Sequence, residues 1–125
     1  MSGQADDPAA QASHEPYSRA VVSGGLVFCS GTLGIDPATG EAPESAADQA
    51  EQALVNLAGV LSESGSSTRR LVKTTIYYVR ARDFAAINDV YARHMPDPPP
   101  ARSAVPCSAL PAGLLFCIDA IAALG

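Results

Sequence analysis

Two ionisable side chains stand apart in the last quarter of this chain. Between Asp97 and Asp119 the only charged side chain is Arg102, and Asp119 itself separates the apolar runs Leu114-Leu115-Phe116-Cys117-Ile118 and Ala120-Ile121-Ala122. An unpaired carboxylate or guanidinium is costly to bury, so each requires a partner. A short turn, Leu110-Pro111-Ala112-Gly113, joins the strands expected to carry them, close enough to pair or to face a shared cavity. Two chemistries fit. One is a buried salt bridge. The other is an arginine that grips a substrate carboxylate in a bidentate fork, beside an aspartate that handles a proton or a water.

Other residues add less. Ser30-Gly31 closes a strand, where a glycine either admits a ligand to the backbone or marks a bulge. Tyr17 precedes the first strand as an anchor or a core-edge aromatic. Asn88 falls among apolar helix residues, where capping or packing is the ordinary role. Tyr77 and Tyr78 point to opposite sides of a strand, so at least one belongs to the core or to an interface. Arg69-Arg70 reads as a solvated pair at a strand start.

Several classes drop out. No metal site is expected, because His14 lies in a polar tail and His94 at a helix end, without ligand-spaced companions. Cys29, Cys107 and Cys117 form no CxxC and sit in apolar stretches, which reads as reduced thiols of a cytoplasmic protein. Neither a P-loop nor a dinucleotide glycine fingerprint is present. Eight Lys and Arg against thirteen Asp and Glu give a net charge of −5 and a pI near 4.7, which argues against a nucleic-acid partner. No apolar run is long enough for a membrane span, and the N-terminus lacks a signal-peptide pattern.

The elements that position these residues follow from pattern. The 125 residues allow one domain. Residues Met1 to Glu15 are polar and aperiodic and read as a disordered tail, leaving a single domain over residues 16–125. Ser18 to Val22 and Leu26 to Ser30 read as strands joined at Ser23-Gly24-Gly25. Asp36-Pro37-Ala38-Thr39-Gly40 is turn chemistry. Ser45 is a candidate N-cap for a helix whose stripe is Ala50, Ala53, Leu54, Leu57, Ala58 and Leu61, stopped at Gly65. Leu71 to Val79 is the next strand. Phe84, Ile87 and Tyr91 mark a second helix ended by Pro96. Ala101 to Cys107, with Pro106 as an edge signal, and Leu114 to Ala123 complete the order ββαβαββ.

That order implies an α+β fold with two helices on one face of a mixed sheet. Val27, Ile76, Val105 and Ile118 exceed what two helices can cover. A symmetric oligomer would bury the second face. The low charged fraction, 17% beside 47% apolar residues, agrees with a surface partly covered by another subunit.

In their order and spacing, these fragments resemble the RidA (YjgF) family of enamine/imine deaminases. The resemblance runs from Pro16 to Ala122. It rests on Pro16-Tyr17-Ser18, Leu26-Val27-Phe28-Cys29-Ser30-Gly31, Asp36-Pro37-Ala38-Thr39-Gly40-Glu41, Val72-Lys73-Thr74-Thr75-Ile76-Tyr77, Asn88-Asp89-Val90-Tyr91, Pro100-Ala101-Arg102-Ser103-Ala104-Val105 and Ile118-Asp119-Ala120-Ile121-Ala122. It implies a chorismate-mutase-like homotrimer with ligand clefts between subunits. It also implies cofactor-independent hydrolysis of 2-imino or 2-enamino acids to 2-keto acids and ammonia. Arg102 matches the arginine that binds the substrate carboxylate, and Asp119 the acidic residue that positions water. Tyr17 is matched to a catalytic pocket position, and Ser30, Gly31 and Asn88 to substrate-binding ones.

The departures are local. Asp119 stands where the family has Glu and is one methylene shorter, so its carboxylate is set back. Ala104 replaces a cysteine found in many family deaminases. Thr32-Leu33-Gly34 replaces Gln-aliphatic-Pro, and Pro106 is unusual. Two other functions remain compatible: a carboxylate binder without turnover, and an isomerase or cyclase of a conjugated enamine.

Overall fold

In the computed structural model, which describes residues 15–125, Gly24 and Gly25 both take positive φ, 60° and 77°. That is the backbone a two-residue hairpin turn needs. The turn joins β1 (Ala20–Ser23) to β2 (Leu26–Leu33). The disordered tail expected at residues 1–15 lies, apart from Glu15, outside the described residues. Helix α1 (Ala46–Glu63) starts as expected: the Ser45 hydroxyl accepts from the Asp48 amide at 3.1 Å. It ends at Ser64, and Gly65 follows at φ 85°. Strand β3 (Leu71–Tyr78), helix α2 (Phe84–His94), strand β4 (Ala101–Pro106) and strand β5 (Phe116–Ala123) complete the order ββαβαββ, with three short 3-10 turns between them.

The five strands lie in the order β1-β2-β5-β3-β4. All pairs are antiparallel except β3 with β4, so the sheet is mixed. Pro106 ends β4 at the sheet edge, where its missing N–H costs no ladder bond. Both helices cover one face. Leu54, Leu57 and Leu61 of α1 and Ile87 and Tyr91 of α2 share one buried cluster with Val27, Ile76, Phe116 and Ile118 of the sheet.

Strand register corrects the sequence reading of the second face. Val27, Ile76 and Ile118 are 0% exposed beneath the helices, and of the four residues named only Val105, at 38%, faces away. The apolar side chains of the open face are instead Val21, Phe28 and Ile121, aligned across β1, β2 and β5, with Val105 on β4. A β-bulge separately re-aims the end of β2. Cys29 pairs with Ala120 and Thr32 with Ile118, so Ser30 and Gly31 together oppose Asp119. The extra residue swaps the faces of everything after it, and β2 continues through the bulge to Leu33.

Two polar side chains of α1 hold the exit of β2. Asn56 donates to the carbonyls of Leu33 and Ile35 at 3.0 and 2.8 Å. Buried Gln49 donates to the Pro43 carbonyl at 2.9 Å and accepts from the Leu115 amide at 2.7 Å. Gly34 lies so close to this turn of helix that a Cβ there would sit 2.1 Å from the Gln49 carbonyl oxygen. Gly34→Ala is therefore expected to cost about 2 kcal/mol or more in urea unfolding, because backbone has to move. Gly59, exposed inside α1 with open space around it, is the control: Gly59→Ala should add about 0.5–1 kcal/mol. Equal effects from the two changes would contradict this packing.

Candidate functional site

Arg102 belongs to the helix-covered side of the sheet. It pairs in register with Thr74, which also pairs with buried Ala120. At this edge α2 presents Phe84, Asn88 and Tyr91, spaced four and three apart on one helical face. Arg102 Nη1 donates to Asn88 Oδ1 at 2.7 Å. Its guanidinium carbon lies 4.8 Å from the Tyr91 ring centroid and 5.8 Å from that of Phe84. Tyr91 is fixed in turn by a 2.6 Å hydrogen bond between its hydroxyl and that of Thr74. Phe84 packs on Tyr78, ring centroids 5.1 Å apart. Stacking on aromatic faces contributes about 0.5–1 kcal/mol at an exposed site and holds the fork flat. Among the described residues no carboxylate pairs with Arg102, so its remaining N–H donors are available to an anion.

Asp119 belongs to the open side. It pairs in register with Thr75, one residue on from the partner of Arg102. Strand β3 lies between β4 and β5. The salt bridge weighed from the sequence does not form, and within one copy the two side chains do not face a shared cavity. Alternation along the strands sends them to opposite faces of the sheet.

A second group gathers around Asp119. Tyr77 donates its hydroxyl to Asp119 Oδ2 at 2.9 Å. That bond, helped by burial, pushes the Tyr77 ionisation above the ordinary tyrosine value. The Ser30-Gly31 bulge lies directly across from Asp119. Gly31 packs closely on β5, since a Cβ there would meet Cys117 Sγ at 3.0 Å. The Ser30 hydroxyl donates to the Ser18 carbonyl, and its amide donates to the Arg19 carbonyl at 2.9 Å. These bonds tie down the segment that carries exposed Tyr17. Burial first, and then the Asp119 charge, push the thiols of Cys29 and Cys117 up to about 11.

The residues singled out in the sequence thus divide in two. Arg102 and Asn88 form one group, while Asp119, Ser30 and Gly31 form the other, with Tyr17 tethered beside it. Sequence reasoning missed Tyr77 as the partner of Asp119 and Phe84 and Tyr91 as the platform under Arg102. The i, i+4, i+7 spacing of Phe84, Asn88 and Tyr91 was the available signal. A depression of about 320 Å³ lined by Thr68, Arg69, His94, Met95, Pro96 and Asp97 contains neither group. His94 there bonds Glu51 at 2.8 Å. Among the described residues no three His, Cys, Asp or Glu side chains gather in a way that could hold a metal ion. No helix among them is long and apolar enough to cross a membrane.

The family model described as Endoribonuclease L-PSP matches residues 7–124. The chain belongs to the RidA/YjgF family. Three RidA/YjgF relatives illustrate the likeness. Reactive Intermediate Deaminase A of Arabidopsis thaliana, a chloroplastic protein, is 44% identical over 110 residues, 87% of this chain. The match spans only 59% of that protein's length. The 2-iminobutanoate/2-iminopropanoate deaminase of Capra hircus is 40% identical over 111 residues, covering 88% of this chain and 81% of the goat protein. The crystal structure of E. coli TdcF with bound serine is 35% identical and covers 89% of this chain and 90% of that one, with a TM-score of 0.83.

The geometry around Asp119 is open to a chemical check. At pH 8, Cys29 and Cys117 should alkylate on the order of a hundredfold more slowly than a thiol of ordinary value, read peptide by peptide by mass spectrometry. Asp119→Asn should speed both, because it removes a negative charge that disfavours the thiolate. Unchanged rates in that variant would contradict the proximity.

Proposed function

We propose that this chain hydrolyses 2-imino and 2-enamino acids to 2-keto acids and ammonia, at clefts between the subunits of a homotrimer. The observation that carries the reading is the Arg102 fork. It is held flat by Asn88, Tyr91 and Phe84, and no carboxylate of the described residues pairs with it. A planar guanidinium with free donors suits a small carboxylate. The names of the goat and Arabidopsis relatives, and the serine bound by TdcF, support a ligand with a carboxylate next to a carbon bearing nitrogen.

The division between the two faces shapes the mechanism. Arg102 and Asp119 of one copy cannot meet one small ligand, so the proposed site takes Arg102 from one subunit and Asp119, with Ser30, Gly31 and Tyr17, from a neighbour. The exposed Val21, Phe28 and Val105 of the open face support association. Arg102 binds the substrate carboxylate and sets the C=N carbon in place. A protonated imine is already electrophilic, so the protein's task is to aim one water and exclude the rest. Asp119 accepts a proton from that water as its oxygen bonds to the imine carbon. The proton then passes to the nitrogen of the tetrahedral adduct; as the C–N bond breaks, Asp119 takes the proton of the adduct's hydroxyl, the C=O forms, ammonia leaves with the carbon–nitrogen electron pair and the keto acid remains. The acidic balance of the chain disfavours RNA as the substrate, despite the family model's description.

Imines generated in situ by an amino acid oxidase provide the test, with ammonia and keto-acid release as readouts. Arg102→Ala should lower kcat/KM about a hundredfold or more, since each charge-assisted hydrogen bond contributes about 1.5–3 kcal/mol. Wild type no faster than Arg102→Ala would defeat the proposal.

A further inference from the structure

Asp119 is short, and among the described residues its carboxylate has no hydrogen-bonded arginine or lysine. What it has is a tyrosine from the neighbouring strand. Position 119 lies opposite Thr75, and Tyr77 lies opposite Cys117. Tyr77 and Asp119 are therefore diagonal neighbours, a span of about 7–8 Å between strands that a long side chain can cross. The Tyr77 hydroxyl reaches Oδ2 at 2.9 Å. Carboxylates have two oxygens, and an aspartate on a strand turns freely about its last torsion unless something holds it. With Oδ2 occupied, Oδ1 is the oxygen left for a water, on the face shared with the Ser30-Gly31 bulge.

We propose that Tyr77 is a positioning residue for Asp119: its hydroxyl holds one carboxylate oxygen and so aims the other at the attacking water. This inference rests on the deaminase reading above. Tyr77 is not the base. It keeps its proton throughout, and its hydrogen bond to the carboxylate, with burial, favours that form. Cys117 and Cys107 also lie near the hydroxyl and act in the same direction if ionised. The tyrosine offsets the methylene that Asp119 lacks relative to the family's glutamate, not by lengthening the side chain but by fixing its rotation.

Two measurements test this. The first is a double-mutant cycle on imine hydrolysis. Tyr77→Phe should lower kcat about tenfold with KM changed less than twofold, a magnitude in keeping with loss of one hydrogen bond to a charged group. In an Asp119→Asn background the same change should have no further effect on kcat. Independent, multiplying losses, or a change confined to KM, would overturn the proposal. The second measurement does not need turnover. Ultraviolet difference titration follows the four tyrosines of the chain. Asp119→Asn should lower the midpoint of one of them, and that transition should be missing in Tyr77→Phe. An unmoved midpoint would overturn the pairing even in a protein found to have no deaminase activity. A shifted midpoint in a chain without turnover would locate the failure in the deaminase reading.

Discussion

A β-strand turns successive side chains to opposite faces of its sheet, and in this protein that alternation governs the chemistry. Thr74 and Thr75 are adjacent on β3, the strand between β5 and β4. Thr74 pairs with Arg102 and Thr75 with Asp119. One step along the backbone therefore separates the Arg102 guanidinium on the helix side from the Asp119 carboxylate on the open side. No side-chain rotation brings them together through a sheet whose centre is filled by Ile76, Ile118 and Phe116. Each half is well built by itself. Arg102 rests on an aromatic platform anchored by the Thr74–Tyr91 hydrogen bond, and Asp119 is held by Tyr77.

The same alternation separates core from contact surface. Two helices cover one face, and their largest side chains leave little of it open to water. Burying a Leu, Ile or Phe contributes about 1.5–3 kcal/mol, so this half supplies the stability of the single copy. The other face keeps Val21, Phe28 and Val105 partly exposed around a carboxylate and a tyrosine. In the proposed trimer this face meets its neighbours, so apolar association and assembly of the site become one event. A substrate of a few heavy atoms would then be gripped by one subunit and attacked from the next.

Much of the fold was legible because local chemistry decides it. Gly24-Gly25 has the conformational freedom of a tight hairpin, Ser45 caps α1, Gly65 stops it, and Pro106 restricts β4 to an edge. Arg102 and Asp119 were visible as isolated charges in an apolar stretch, and the family pattern agreed. The faces were not legible. Assigning Val27, Ile76 and Ile118 to a side requires the pairing of three strands, and the Ser30-Gly31 bulge separately re-aims Thr32 and Leu33 at the end of β2. A glycine after a serine does not reveal which strand will oppose it. The buried bridge of Gln49 was equally hidden, since a glutamine near the start of a helix ordinarily reads as solvated. So was the tie from Tyr77 to Asp119, which depends on a diagonal between strands 42 residues apart in sequence.

The central claim, that one site draws Arg102 and Asp119 from different copies, has a direct test in subunit mixing. Arg102→Ala and Asp119→Asn proteins would each be strongly impaired alone, with residual turnover still measurable. Unfolded together in equal amounts and refolded, they should regain about a quarter of the wild-type imine hydrolysis, the fraction of interfaces in a random ring that receive both intact residues. A mixture that stays as impaired as its components, while mass analysis confirms mixed trimers, would contradict the account.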